Sequence, residues 1–551
     1  MKEEKVLNIK FIIMAIICIC LFSIAIVPKG LQNDTFYTIK LGELILDNGI
    51  DMQEHFAWHE GLPYTYPHWL YDVIMYLIYS IGGYNGLYIS TMVFTAILGI
   101  VMYLTSAKLT KNTVIPFFTT ILLLYIGRDF CTARAQLITF ILFVLTIYYI
   151  EKFIETRKIR YAVGLLIIPT LIANIHAAVF PFYFVLYLPY VGEFFIGFFL
   201  KQGDVLTKIF LKSDELEIKK LEKKENLNEK QIKKVELLMT RVDKNLIRLE
   251  EKKNIKKEPY KILVEENKNI MWLMIVMVIA AFTGLLTPIG DTPYTYLLHT
   301  MQGTTTGNIS EHLPIVLYNA KYEFGFIIIA ICLISFTRLK FKLRDLFLLG
   351  GLIFLTIMSR RQASMLYFVG ILIINKAIAE IIEMYDKDGI KEILKYFTSI
   401  IGKIIIYSVF AIFMVFGMKE AKEVEIVSEK SYPIEATKFI KENLNVEEIK
   451  LFNEYNFGSY LLFEDIPVFI DSRADVYDPK FNGWEDDIFR DFINLTGASN
   501  DYEEKFEHYG ITHLLIYKNS TLNKVLTLDE NYNELYKDDN FIIYERLSVN
   551  K

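Results

Sequence analysis

Cysteine is scarce, with four in 551 residues. Cys18 and Cys20 sit in the first apolar run, Cys332 in a later one and Cys131 near the end of another. That leaves no disulfide framework and no pair with zinc-ligand spacing. Excess positive charge is missing too. A formal net charge of -5 argues against a nucleic-acid partner. The N-terminal MKEEKVLNIK and the apolar run that follows lack a small-x-small cleavage site, and Pro28-Lys29-Gly30 comes directly after. An uncleaved anchor is expected there rather than a signal peptide.

Apolar residues are abundant. They make up 53% of the chain, with 41 Phe and 35 Tyr, and mean hydropathy is +0.31. Soluble domains typically have about 45–50% apolar residues. The charged fraction, 22%, is nevertheless ordinary, so charge is segregated between apolar runs. Runs that approach the length of a membrane span lie near 11–27, 84–105, 113–127, 136–151, 161–174, 178–200, 270–286, 323–337, 345–358, 364–382 and 399–417. About eleven spans are expected.

Lysine and arginine fix the orientation. Lys2, Lys5, Lys10, Lys108, Lys111, Lys152, Arg157, Lys158, Arg160, the block 201–268, Arg338 to Arg344 and Lys387 to Lys403 fall in one set of loops. The positive-inside rule makes these cytoplasmic. The N-terminus is then inside, and Asp34, His176, Glu311, Arg361 and the tail after Gly417 face outside.

The expected fold class is mostly α: a polytopic membrane helix bundle with a cytoplasmic charged helical insertion and a C-terminal extracytoplasmic α/β domain. N-terminal membrane helices occupy 1–200, with a first outer loop over 28–83. The insertion is 201–268, further membrane helices follow over 269–419, and the tail domain is 420–551. In the insertion, Ile218, Leu221, Ile232, Val235, Met239, Val242, Leu246 and Leu249 fall on one heptad seam, interrupted by Glu225 and Asn228. A helical hairpin packing on itself and a dimerising coiled coil over 214–250 both fit. In the tail, EATKFIKENL reads as a helix, and EIKLFN, PVFIDS, HLLIYK and NFIIYE read as strands.

Polar residues cluster at the outer helix ends. Asp34 lies just past the first span, before an amphipathic segment and the aromatic, histidine-rich run 55–72. A carboxylate at a water–lipid boundary can take a proton from a hydroxyl arriving in water while the other reactant enters from the bilayer. Arg128 and Arg134 lie between the third and fourth spans, Asn174 and His176 in the turn ANIHAA, Glu311 in ISEHLP, and Arg360 and Arg361 in SRRQ. Guanidinium forks suit a phosphate or diphosphate. Asp471, Arg473 and Asp475 form a compact polar group in the tail, where a ligand or a salt-bridged turn would fit equally. Each candidate has a plainer alternative. Asp34 can cap the helix that starts at Thr35. Arg128 and Arg134 can snorkel, His176 can be a packing residue, and Glu311 can pair with a loop arginine. His55, His59 and His68 share no ligand spacing, so no metal ligand is assigned.

Asp34 with FYTIKLGELILDNGI, then PHWLYD, ARAQL, ANIHAA, TPIG, ISEHLP and SRRQ, and in the tail FNEYNFGSYLLF and VFIDSRADVYDP, carry a resemblance. In that order and spacing the chain resembles bacterial polytopic glycosyltransferases of the GT-C fold class. These are lipid-phosphate-sugar users related to protein O-mannosyltransferases, and more narrowly a subgroup with an extracellular C-terminal domain. Ala135 stands for the usual proline, Thr287 for an asparagine, and His312 and Phe457 for tryptophans. The resemblance implies sugar transfer from a polyprenyl-phosphate donor to a hydroxyl of a glycan or protein acceptor, at the outer face of the bilayer, with inversion. It also implies Asp34 as base, Arg134, Arg360, Arg361 and Arg128 on the donor phosphate, and His176, Glu311, His68 and Asn174 as substrate contacts. A divalent metal remains an open requirement, and no other cofactor is expected. Two rival classes are a lipid-linked saccharide flippase and a non-catalytic membrane-anchored binding protein. The first would bring inverted repeats and polar midplane breaks, and neither is visible in the sequence.

Overall fold

The computed structural model describes residues 2–223, 228–257, 262–265, 267–318, 320–386 and 388–547. Glu225 of the seam and Lys387 of the cytoplasmic set lie outside the described residues. Long runs of Leu, Ile and Phe satisfy their backbone internally as helices, the arrangement hydrocarbon demands. In chain order these are α1 (Lys2–Ile26), α2 (Asn33–Asn48), α3 (Trp69–Thr110), α4 (Val114–Ile126), α5 (Ala135–Thr156), α6 (Ile159–Ile175), α7 (Phe180–Val185), α8 (Leu188–Glu222) and α9 (Glu229–Lys257). After them come α10 (Asn269–Ala281), α11 (Thr292–Gln302), α12 (Lys321–Phe336), α13 (Leu343–Met358), α14 (Ala363–Phe368), α15 (Ile371–Tyr385), α16 (Gly389–Thr398) and α17 (Ile400–Glu423).

Each of the eleven apolar runs is helical. Among the described residues, however, five helices are long and apolar enough to cross a membrane alone, and the pair bent by 46° at 368–371 makes a sixth. Others, such as α4 and α6, stop short of the roughly 20 residues a span needs. The outward faces of α1, α3, α4, α6 and α17 expose Ile13, Ile17, Val93, Ile97, Phe118, Leu122, Val163, Ile167, Ile405 and Phe413. Apolar side chains turned outward on that scale belong against lipid. The chain is a membrane protein.

Gly83 (φ 56°) breaks α3 and separates residues 69–82 from the apolar run that follows. At the far end of the bundle from Asp34, α5, α8, α13 and α15 meet in a buried ionic cluster. Arg344 lies 2.9 Å from Glu193 and 3.0 Å from Glu265, and Lys376 lies 3.0 Å from Glu151 and 2.9 Å from Asp345. Glu265 follows β1 (Ile262–Leu263), which pairs in parallel with β2 (Phe341–Lys342).

The insertion is a helical hairpin. α9 folds back on α8, burying Leu211, Ile218 and Leu238, and Lys234 pairs with Glu217 at 2.6 Å. Of the seam residues, Ile218 is buried in this pairing, while Ile232, Met239 and Leu246 stay exposed; nothing among the described residues supports a dimer through 214–250.

The tail contains α18 (Ile434–Asn443), β3 (Leu451–Asn453), α19 (Tyr455–Phe463), β4 (His513–Tyr517), β5 (Tyr532–Lys537) and β6 (Phe541–Arg546). The sheet order is β3-β4-β6-β5, with β3 parallel to β4 and the other pairs antiparallel. PVFIDS, expected as a strand, is not one. It runs extended against the first loop, with Val468 bridging Ala57 and its amide donating to the Phe56 carbonyl at 3.1 Å. β5 was not expected, because half its residues face solvent and its apolar alternation is weak. First loop and tail share one apolar core: Phe36, Tyr37, Leu62, Tyr64 and Tyr66 pack with Phe452, Tyr460, Phe469 and Tyr477.

Gly42 lets α2 lie directly on α3. A Cβ there would come within 2.2 Å of the Asp72 carbonyl oxygen. Gly42→Ala therefore pushes the two helices apart, and an overpacking cost of about 1–3 kcal/mol is expected. A lower melting temperature in detergent is the readout.

Candidate active site

Asp34 sits in the first turn of α2, whose N-cap is Gln32 with no side-chain cap bond. The capping alternative is therefore not what forms. The Asp34 carboxylate instead lies 2.9 Å from an Arg134 guanidinium nitrogen. Arg134 is the extended residue that opens α5, and its other terminal nitrogen reaches Glu311 at 3.3 Å. One guanidinium fork thus joins two carboxylates that are 277 positions apart in sequence. Asp34 keeps about a quarter of its side chain exposed, at 24%. A small cleft lined by Gly30, Leu31, Gln32, Tyr88, Thr132 and Ala133 adjoins both residues along the chain.

The turn 359–362 is stitched to the Glu311 loop. Arg360 and Arg361 donate backbone N–H groups to the carbonyls of Leu313 and Glu311, both at 3.0 Å, and the Ser359 hydroxyl donates to the Glu311 carbonyl at 3.2 Å. Neither guanidinium has an ion-pair or hydrogen-bond partner among the described residues, and Arg360 Nε is buried and unmatched. An unpaired guanidinium has the fork geometry that suits an anion. The other two arginines of the expected phosphate set have partners within the chain. Arg134 is committed to carboxylates, and Arg128 stays at the surface, 4.5 Å over the Tyr125 ring and bonded to its carbonyl.

The other sequence candidates differ in how far their polar atoms are already engaged. Asn174 is fully engaged: its Oδ1 accepts from Trp69 Nε1 at 3.2 Å, and its Nδ2 donates to the Thr170 and Leu286 carbonyls. It braces α6 and presents no free group to a substrate. His176 bonds Thr139 through Nδ1 at 2.9 Å and is 6% exposed, which is the packing alternative. His68 differs. Its Nδ1 faces both oxygens of fully buried Asp72 at 3.0 and 3.1 Å, its Nε2 lies 3.4 Å from the Tyr37 hydroxyl, and its ring is 6.4 Å from that of His176. His55 pairs with Asp51, and His59 bonds the Phe469 carbonyl at 2.9 Å. Burial lowers His59 to about 4, so it is neutral at ordinary pH.

The tail triplet does not form one pocket. Asp471 and Arg473 are buried and form a strut with Glu54 of the first loop: Arg473 lies 2.6 Å from Asp471 and 2.9 Å from Glu54, and the Tyr477 hydroxyl donates to Asp471 at 2.6 Å. The salt-bridged alternative is what the chain builds. Asp475 turns the other way, toward the membrane helices, and accepts from Tyr296 of α11. Burial pushes its carboxyl up to about 6, against the Tyr296 hydrogen bond and the Arg361 charge. Nearby, Asp478 accepts from the Thr304 amide at 2.8 Å, with Gly303 pressed against it. Asn33 donates to the Tyr455 carbonyl at 2.8 Å. The segment 292–313 is therefore held by the tail at one end and by Arg134 and the 359–362 turn at the other.

Sequence reasoning missed Tyr37, Glu54, Asp72, Tyr296 and Asp478. Asp72 had a signal, since it lies four residues after His68 in PHWLYD at the start of a helix. The others act through partners more than a hundred residues away, or in a different segment of the first loop. As for a divalent metal, the side chains are not arranged to receive one. Arg134 sits between the two carboxylates, and no group of three or more His, Cys, Asp or Glu converges among the described residues.

No protein-family profile matches the chain, and no curated protein matches it in sequence. Solved structures do. The helix bundle, with the first loop and the tail closing over one end, shares the GT-C fold of these structures. The oligosaccharyltransferase AglB from Archaeoglobus fulgidus, in complex with an inhibitory peptide and a dolichol-phosphate, aligns over 92% of this chain and 69% of its own, with TM-score 0.54 and 12% identity. The apo form of the Archaeoglobus fulgidus oligosaccharyltransferase aligns over 93% and 69%, with TM-score 0.53 and 12% identity.

Proposed function

We propose that the chain is an integral-membrane glycosyltransferase that moves a sugar from a polyprenyl-phosphate donor to a hydroxyl acceptor, a glycan or a protein, on the outer face of the membrane. The observation that carries this reading is one contiguous set: a partly exposed Asp34 tied through Arg134 and Glu311 to a turn bearing two unpaired guanidiniums. The GT-C fold, seen in a structure holding a dolichol-phosphate, supports it.

In the proposed reaction Asp34 accepts the acceptor hydroxyl proton as its oxygen bonds the anomeric carbon. The bond from that carbon to the phosphate oxygen breaks, and its electron pair leaves on the lipid phosphate. A single displacement of this kind inverts configuration. Arg360 and Arg361 stabilise the negative charge that accumulates on the phosphate. Arg134 and Glu311 fix the direction of the Asp34 carboxylate, and Asp475 with Tyr296 closes the tail side of the site.

The test is a transfer assay in detergent with a panel of polyprenyl-phosphate hexoses. Arg360→Gln with Arg361→Gln should raise the donor KM about 10–100-fold, the worth of one or two charge-assisted hydrogen bonds. An unchanged KM together with an unchanged kcat removes these arginines from the donor site. Separately, a cysteine at position 34 or in the tail should react with an impermeant maleimide in intact cells. Labelling only after lysis places both on the cytoplasmic side and overturns the outer-face reading.

A further inference from the structure

A carboxylate that has taken a proton must lose it before the next transfer, and an imidazole, close to balance at neutral pH, can both take it and pass it on. A base built on aspartate therefore benefits from a neighbour that takes the proton onward, and α2 and α3 bring one to it. Asp34 and Tyr37 are three residues apart on α2, hence neighbours on one face. The Tyr37 hydroxyl points at His68 Nε2, 3.4 Å away. On the far side of the ring, Asp72 receives Nδ1–H with both carboxylate oxygens, which fixes the tautomer and leaves Nε2 as the acceptor. The Thr38 hydroxyl of α2 also donates to Asp72, so the pair is braced by the helix that carries Asp34. Asp72 is 0% exposed and His68 half-buried. No contact of the donor or acceptor in the proposed reaction uses this pair.

Resting on the reading of Asp34 as base, we infer that Tyr37, His68 and Asp72 form a proton relay that drains Asp34 after each transfer. The proton on Asp34 passes to the Tyr37 oxygen as Tyr37 gives its own to His68 Nε2. The imidazolium is then paired with Asp72 until water removes its proton. Nothing is oxidised or reduced, and the carboxylate of Asp34 is restored.

The charges around His68 agree with a proton sink. Burial alone would lower it, but the Asp72 charge and hydrogen bond outweigh that, with Asp34 adding, so its pKa lies above the ordinary histidine value. Arg361 opposes this. His176, in the turn after α6, is held neutral by its burial, and its charged form is opposed by Arg361 and by His68 itself. From the tail, Asp475 feels His68, and Arg473 acts on Asp72.

The experiment is the pH profile of kcat in Tyr37→Phe, Asp72→Asn and Asp34→Asn, using whichever polyprenyl-phosphate hexose the wild type turns over. Nitrogen NMR of histidine-labelled protein in nanodiscs accompanies it. Tyr37→Phe and Asp72→Asn should lower kcat about 10–100-fold at unchanged donor KM, the low end for loss of acid–base help. Asp72→Asn should also move the acid limb to lower pH, because an imidazole without its carboxylate is less basic. NMR should find His68 protonated on Nδ1 in the neutral state, with a titration that Asp72→Asn lowers. A uniform loss with the acid limb in place overturns the relay and leaves a packing role, as does a His68 titration indifferent to Asp72. Asp34→Asn transferring at the wild-type rate defeats the base assignment instead, and the two failures are told apart.

Discussion

Asp34→Asn should cut transfer about 10²–10⁴-fold, the usual worth of a positioned general base, with the donor KM and the fold unchanged. Asparagine keeps the shape of the side chain, and its carbonyl can still accept from Arg134, so the geometry of the first turn of α2 survives. What disappears is the negative charge that receives the proton. Arg134 retains Glu311 as a partner at 3.3 Å, so no guanidinium is left stranded. A loss confined to kcat marks an interaction needed in the transition state rather than in binding. Glu311→Gln, which touches Arg134 but not the cleft beside Asp34, should lose far less, about tenfold or under. If Asp34→Asn transfers at the wild-type rate, this carboxylate is not the base.

Much of this site was legible one residue at a time, and little of it as a constellation. Asp34 stands out because an acid beside a span end is costly without a use. Arg360 and Arg361 stand out because paired arginines at a helix start are uncommon in apolar surroundings. Their partners were hidden by distance along the chain. Nothing in ARAQL announces that its arginine closes on both Asp34 and Glu311, since that depends on how α2, α5 and the 292–313 segment meet. The tail shows the same limit. HLLIYK and NFIIYE are short apolar runs that became β4 and β6, buried along most of their length, whereas PVFIDS, also short and apolar, is diverted to pair with the first loop. A short apolar run says that a segment is buried, not which surface buries it. In the insertion the heptad seam says that helices pair, and of the two pairings it allows, the hairpin within one chain is the one formed by α8 and α9.

The union of tail and first loop gives the second large expectation. Arg473→Met should cost about 3–5 kcal/mol, the usual penalty for breaking a buried ion pair by removing one partner. Asp471 and Glu54 are both fully buried, and Arg473 is 3% exposed. Methionine fills much of the same volume but leaves two carboxylates facing each other without a cation. The tail should then loosen from the first loop, seen as a lower melting temperature and as new protease cleavage near 465–480. Adding Glu54→Gln should restore part of the stability, because one orphaned charge is gone while the amide oxygen still accepts from the Phe56 and Ala57 N–H groups, as Glu54 does now. A positive coupling in that double-mutant cycle assigns the effect to the strut rather than to general damage. Transfer should fall with it, since the same tail segment brings Asp475 to Tyr296 and Asp478 to Thr304. If Arg473→Met melts like the wild type and keeps full activity, the strut neither fastens the tail nor supports the site beneath it.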